Sequence, residues 1–314
     1  MGTAVSVCRN VLDVALKEEE ELAAALASQY GPQLLLRVDA APIRDGPAVF
    51  PNPFRLTDEI ILEGVEGLAA YGPFMSRFNL SRRAEAGAKF PFTWPDTDRV
   101  CMPHVFMRAR IEGTGRYVLL QICASVADQK LHRVLAALQD CKEAVQYAAN
   151  FNKFIAEQDV GGFDAPQVKI CAPVGCRVLD SKIPQLTGRD SHILVFDYPS
   201  TEVTKFMLDG TEEFHELSQA FFHHVAWATN GNAMLFDLKG ADPGSGDILL
   251  VDPCILRTDG EQAVKDSIKE TAFEVLHRNC GPLCKVFDPN RRSGKVRRMC
   301  GVPSCGLAHA IGGR

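Results

Sequence analysis

Residues 220–253 read AFFHHVAWATNGNAMLFDLKGADPGSGDILLVDP, and the architecture of the chain turns on them. Two apolar runs, 233–238 and 248–251, have strand length, and the Gly, Pro, Ser and Asp residues of 242–247 separate them. Asp237 closes the first run as the chain enters a glycine-containing loop, and Asp252 closes the second, directly before Pro253. Taken singly, an aspartate in such a place is a turn or cap residue, because its short side chain bonds the nearby backbone. Upstream, His223 and His224 stand together in an otherwise apolar block.

Further along, HRNCGPLC at 277–284 places one imidazole and two thiols within eight residues. Zinc takes four such nitrogen and sulfur ligands in a tetrahedron, and closely spaced ligands lose little loop entropy on binding. Pro282 disrupts a helix interior but suits a first turn, so His277 is expected to end one helix and Cys284 to project from the next. A fourth ligand has to come from elsewhere, and His223 or His224 offers it. Cys300 and Cys305, with His309, form a weaker cluster of the same kind. The chain has eleven cysteines in all. An odd number scattered through apolar segments, behind an N-terminus whose apolar run is broken by Arg9, Asn10 and Asp13, predicts reduced thiols and a cytoplasmic protein. Cys123, Cys141 and Cys171 lie in apolar runs and read as small buried hydrophobes.

The 314 residues are 46% hydrophobic and 23% charged, which suits two domains or two lobes sharing one core. That apolar fraction excludes a wholly disordered chain, and no window approaches the ~18 apolar residues of a membrane-spanning helix. The net charge of −5 conceals an asymmetry, since residues 285–314 carry seven basic side chains against one Asp. This tail is +6 and the remainder −11. A basic tail on an acidic body attracts acidic surfaces. Without interleaved aromatics it does not suit single-stranded nucleic acid, so a protein partner is expected.

Residues 11–29 read as an acidic, solvated helix, residues 41–95 as loops around short elements, and Tyr117–Ala124 as a strand after the turn glycines Gly113 and Gly115. A long helix is predicted over Gln129–Glu157, where Leu131, Val134, Leu138, Cys141, Val145, Ala148 and Ile155 keep a 3.6-residue rhythm. Strands follow at Val168–Ala172 and His192–Tyr198, and a last helix spans Glu261–His277. Strands, one long helix, more strands and a helix make an α+β protein rather than a regular βαβ alternation.

In this order the motifs resemble the alpha-type (atypical) Ser/Thr protein kinases, the family of myosin heavy chain kinase and elongation-factor-2 kinase. There an A-F-S-H-F-T block precedes S-G-G-x-L-x-V-x-D-x-Q-G and then T-D-P; here the sequence has AFFHHVAW, NGNAMLFDLKG and LVDP. The family's closing H-x-C-N-x-x-C is similar to His277–Cys284 with one residue added. Upstream, Glu143–Lys153 resembles E-A-x-x-x-A-x-x-F-N, and Tyr198–Phe206, with Lys205, resembles the segment that follows the hinge. The likeness covers about residues 115–287. It implies a two-lobed kinase-like fold with a C-terminal zinc module, the ligands being His223, His277, Cys280 and Cys284. His223 is preferred to His224 because it lies fourteen residues before Asp237, the family's spacing. The implied organisation is a helical extension over 1–40, an N-lobe over 41–197, a C-lobe with the zinc module over 198–287, and a basic tail over 288–314.

The resemblance also implies that Asp237 and Asp252 are the catalytic aspartates of a Mg-ATP site, the second of them binding metal. Phosphoryl transfer needs in addition a positive charge on the phosphates. The family's strand lysine, in Y-V-x-K, aligns here with Leu120 after Tyr117-Val118-Leu119, its hinge Glu with Phe196, and the Gln of D-x-Q-G with Lys239. The glycine-rich turn before the final helix is replaced by Ala263-Val264-Lys265-Asp266. These departures predict a pseudokinase, a binding or scaffold module in a cytoskeletal or other large assembly. The alternative is an active Ser/Thr kinase in which Lys239 or Arg116, with Lys205 nearby, replaces the lost lysine.

Overall fold

The computed structural model describes residues 37–44, 49, 59–66, 104–123, 126–158, 165–182, 187–199, 203–207, 213–257, 273–274, 276–277 and 279–288. The helix expected over 11–29, most of the one over 261–277, and the tail with Cys300, Cys305 and His309 lie outside these residues.

Alternating side chains close the first lobe into a barrel. Its strands are β1 (Val38–Pro42), β2 (Ile60–Glu66), β3 (His104–Ile111) and β4 (Tyr117–Cys123). Beyond helix α1 (Leu131–Glu157) and strand β5 (Val168–Cys171) come β6 (Val174–Ser181) and β7 (His192–Asp197). The barrel order is β1-β2-β3-β4-β7-β6, with every pair antiparallel. On β4, Val118, Leu120 and Ile122 point into the barrel beside Met107, Ala109, Ile193 and Val195. Leu119 lies on the opposite face, in a second core with Phe106, Val134, Leu138, Phe196 and Val251. A strand covered on both faces reads as an unbroken apolar run, which is why 117–124 stands out in the sequence.

The second lobe is built on a four-stranded sheet and a two-stranded ribbon. The sheet combines β5 with β8 (Val203–Met207), β10 (Leu238–Ala241) and β11 (Ile248–Val251), in the order β5-β11-β10-β8. The ribbon pairs β9 (Ala233–Phe236) with β12 (Cys254–Arg257). Helices α2 (Glu216–Ala228) and α3 (Pro282–Phe287) complete the lobe. The strand expected over 233–238 is therefore two strands broken at Asp237, which adopts φ +53°. Aspartate tolerates this left-handed conformation better than most residues, so the chain can leave the ribbon there and enter the sheet. Strand β5, which precedes 197 in the chain, pairs in parallel with β11 of the second lobe.

Helix α1 joins the two lobes. Val134, Ala137, Leu138 and Cys141 pack under the barrel, whereas Ala148, Phe151 and Ile155 enter the core around α2 and the ribbon. Near its C-terminal end Asn152 grips β5 through both amide groups: its Nδ2 donates to the Val168 carbonyl at 2.8 Å, and its Oδ1 accepts the Val168 N–H at 2.9 Å. The 242–247 segment between the two strands is also tied down. The Asp247 carboxylate pairs with Lys169 at 2.6 Å and accepts the Gln167 N–H at 2.9 Å.

Asn152→Ala removes both halves of the grip and leaves two backbone groups of β5 without it, so a loss of about 1–3 kcal/mol is expected. Asn152→Asp keeps the acceptor and turns the donor into a second acceptor facing a carbonyl, and is expected to be no better. Urea unfolding midpoints of the two variants check this.

Candidate functional site

Two groups of polar side chains are buried in the second lobe. The first gathers around Lys239 on β10, which has 0% exposure. Its Nζ donates to Asp237 Oδ2 at 3.0 Å and to the Asp252 carbonyl at 3.1 Å, and lies 3.9 Å from Asp252 Oδ2. A bare ammonium is costly to remove from water, and this one is held by carboxylates and a carbonyl in compensation. Asp237 and Asp252 are themselves 1% and 0% exposed. Both occupy left-handed backbone, at φ +53° and +46°, one between β9 and β10 and the other between β11 and β12. Gly240 makes the approach possible. A Cβ built there would lie 2.0 Å from the Leu249 carbonyl oxygen, so only glycine lets β11 come close enough to bring Asp252 to Lys239.

From the barrel side, Gln121 on β4 donates its Nε2 to Asp252 Oδ2 at 2.6 Å. Sequence reading had aligned Leu120 with the phosphate lysine, but alternation on β4 sends Leu120 into the barrel interior. The residue facing the aspartates is its neighbour Gln121, 3% exposed. Gln121 went unnoticed because its contact lies 131 residues away in the chain.

The other cations named from the sequence have different settings. Arg116 makes a bidentate pair with Asp197, through Nε at 3.1 Å and Nη2 at 2.8 Å. It sits at the exposed start of β4, about 16 Å along the strand from Gln121 at ~3.3 Å per residue. Lys205 is half-buried on β8, in register with Lys239. Phe196 is 0% exposed and packs with Phe106 and Leu119, which are 4% and 1% exposed.

A Mg²⁺ ion holds its oxygen ligands at about 2.1 Å in a near-octahedral shell. The Lys239 ammonium lies within 3.9 Å of an oxygen of each aspartate, so such an ion would share these carboxylates with a fixed positive charge.

The second group brings together His223 of α2, His277, Cys280 and Cys284 of α3, whose donor atoms all lie within 4.8 Å of one another. Nε2 of His277 is 3.2 Å from Cys280 Sγ and 3.7 Å from Cys284 Sγ, and Nδ1 of His223 is 3.8 Å from Cys280 Sγ. Outer partners set the ring tautomers. Gln219 donates its Nε2 to the Leu276 carbonyl at 3.3 Å, which turns its Oε1 towards His277 Nδ1 at 2.6 Å as an acceptor. The Asp288 carboxylate accepts from His223 Nε2 at 3.3 Å. The nitrogens facing the thiols thus carry lone pairs, the arrangement a metal-binding imidazole needs. The hydrogen bond with Cys284 Sγ draws the Cys280 pKa down to about 2, against the opposing effect of burial.

Two nitrogens and two sulfurs in a buried cluster are a donor set that fits a tetrahedral metal ion. His224, the other candidate from the sequence, lies apart: its ring packs against Phe151 and Phe287 at 5.3 Å each, and burial lowers its pKa to about 4. Glu216 adds a second tie between α2 and α3, its Oε1 accepting the Leu283 N–H at 2.9 Å. Gly281 lets that carboxylate in, since a Cβ there would lie 2.8 Å from Glu216 Oε1. Gln219, Glu216 and Asp288 are outer residues that the spacing of Cys and His does not signal.

The family model described as the Alpha-kinase family matches residues 99–284. The chain belongs to the alpha-kinase family. No curated protein matches it by sequence. Among solved structures it is similar to an alpha kinase from Entamoeba histolytica, at 15% identity and TM-score 0.48 over 83% of this chain and 92% of that one. It is also similar to the alpha-kinase domain of myosin-II heavy chain kinase A, at 11% identity and TM-score 0.48 over 81% and 96%. The complex of that domain with AMP-PNP aligns at 12% identity and TM-score 0.47 over 83% and 98%. Family membership rests on the match over 99–284 alone.

Gln121→Ala removes a buried hydrogen bond to a carboxylate and is expected to cost about 1.5–3 kcal/mol. Arg116→Ala breaks the exposed ion pair with Asp197 and is expected to cost less than about 1 kcal/mol. Denaturant unfolding of the two variants, side by side, checks that Gln121 and not Arg116 belongs to the buried site.

Proposed function

We propose that this alpha-kinase-family chain is a pseudokinase, a cytoplasmic binding or scaffold module for a protein partner that transfers no phosphate and holds a structural zinc ion. Lys239 carries the reading. Where the family has a neutral Gln, this chain places an ammonium between the two catalytic aspartates, the second of which phosphoryl transfer would use to hold metal. Catalysis of that kind depends on metal ions neutralising the charge on the transferred phosphoryl group. Here the charge of both carboxylates is turned inward onto a lysine.

Further support comes from the barrel side. Gln121 is neutral where a phosphate-binding cation is required. Phe106, Leu119 and Phe196 are buried against one another on the face between the lobes. The alternative, an active kinase relying on Lys239 or Arg116, is disfavoured by the partners these two side chains already have. The myosin-II heavy chain kinase A domain has been solved with ADP and with AMP-PNP; under this reading the present chain has no equivalent use for them. The basic tail is the part of the sequence suited to an acidic protein surface.

Zinc would be held by His223, His277, Cys280 and Cys284, where it would supply a cross-link between α2 and α3. No helix among the described residues is long and apolar enough to cross a membrane.

Saturating Mg-ATP is expected to leave the melting temperature unchanged, whereas ligand at a hundred times its Kd would add about 2.7 kcal/mol. No phosphate incorporation into the protein itself is expected; incorporation that Asp252→Ala abolishes would overturn the reading. Metal analysis is expected to find one zinc per chain. Cys284→Ser and His277→Ala should each lose that zinc together with several kcal/mol of stability, since metal-binding energy in such sites is folding energy. Metal-free wild-type protein with unchanged stability would remove the zinc assignment.

A further inference from the structure

We propose that the corner where β4 gives way to α1 is a docking surface for an acidic, leucine-bearing segment of a partner protein. The inference rests on the reading of the chain as a binding module and gives that partner its chemistry. It involves neither the Lys239 site nor the zinc ligands.

Four large hydrophobic side chains are exposed among the described residues, and two of them, Val126 and Leu131, stand at this corner. Val126 opens a short turn over Val126–Asp128, and Leu131 opens α1. Between them lies Gln129, only 4% exposed. Its Nε2 donates to the Cys123 carbonyl at 2.8 Å, its Oε1 accepts the Thr187 hydroxyl at 2.9 Å, and its carbonyl accepts the His192 N–H at 3.0 Å. One buried side chain and its backbone thus tie down the end of β4, the start of β7 and the loop before it. Apolar surface held this rigidly has little freedom left to lose when a partner covers it.

The rim around the apolar pair is basic. Lys130, Arg177 and Arg189 are exposed, and Arg133 is half-buried in the first turn of α1. Arg189 adjoins Val126, since a Cβ on the preceding Gly188 would lie 3.8 Å from Val126 Cγ1. Arg177 comes to the same corner through its register with His192. The acids here are Asp190, which pairs with Arg177 at 3.1 Å, and Asp128 in the turn. Four cations against two carboxylates leave +2, on a body that carries −11 without the tail. The helix adds to the same sign: its first turn has no acidic residue, and Lys130 at its N-cap supplies no side-chain cap.

Sign and shape select the occupant. The corner offers no Phe, Tyr or Trp on which a base could stack, which disfavours single-stranded nucleic acid. Val126 and Leu131 are 38% and 41% exposed, so most of each side chain is already covered, whereas insertion into a bilayer calls for apolar side chains that project. An acidic segment with leucines meets both the charge of the rim and the apolar pair inside it.

The test titrates zinc-loaded full-length protein into a fluorescently labelled synthetic peptide of repeating Glu-Leu-Leu-Glu and follows anisotropy. The peptide should bind, and versions with Ser for Leu or Lys for Glu should bind at least about tenfold more weakly. Leu131→Ser and Arg189→Glu should each weaken binding about fivefold to tenfold. Both lie on the surface, so their melting temperatures should match wild type. Phe214→Ser, which removes an exposed aromatic of the second lobe, should change nothing.

Failure of the peptide to bind overturns the inference. So does binding that Leu131→Ser and Arg189→Glu leave intact, which would place the peptide on the basic tail. Phosphatidylserine vesicles that bind in its stead, with the same sensitivity to the two substitutions, would make the corner a membrane contact and overturn it as well. Phosphate transfer by the wild type would sink the pseudokinase reading and leave these peptide outcomes standing, so the two can fail separately.

Discussion

A lysine ammonium shut away from water is tolerable only where oxygens converge on it, and the C-terminal lobe is arranged to supply them. Lys239 lies two residues beyond Asp237, where β9 and β10 part, and the second break, between β11 and β12, brings the carbonyl and carboxylate of Asp252 to the same place. Each break costs an aspartate in left-handed backbone. Gly240 admits β11 at a distance no other residue allows. The two turns and the glycine together bring up the oxygens that satisfy this one charge. Taking away a single partner leaves the others as uncompensated buried charges, which is strongly destabilising.

The histidine and cysteine cluster solves a different problem. Helix α3 has six residues, too few to be stable by itself. It is fixed to α2 by two kinds of contact: His223 approaches Cys280, and Glu216 takes the Leu283 N–H. Glu216, Gln219 and His223 succeed one another on one face of α2, at spacings of three and four residues. About two turns of helix thus serve as the docking edge for the C-terminal segment, while the opposite side of α2, with Phe221 and Val225, closes the hydrophobic core.

Much of this was legible in the residue order. The long helix of α1 and the apolar strand β4 appear as periodicity, and His277, Cys280 and Cys284 as spacing, because each depends on near neighbours or on strongly typed side chains; the choice of His223 over His224 came only with the family resemblance. Less legible were contacts that join distant segments through ordinary residues. Gln121 looks like any polar residue within a strand, and only the parity of β4 shows that it, rather than Leu120, faces Asp252. The strand over 233–238 seemed continuous because Asp237 differs from its neighbours in backbone sign, and composition carries no direct record of φ. Lys239 was visible as a departure from the family pattern; that its charge turns inward depends on Asp237 and Asp252 meeting in space.

Helix α1 contributes its first half to the core beneath the barrel and its second half to the core around α2. At 27 residues it is about 40 Å long, and it has no internal proline or glycine at which to bend. Melting either core would therefore expose one side of the same rod and fray its hydrogen bonds towards the other. The lobes are separate in topology yet share a load-carrying spar, so loss of order is cooperative across the boundary that divides them.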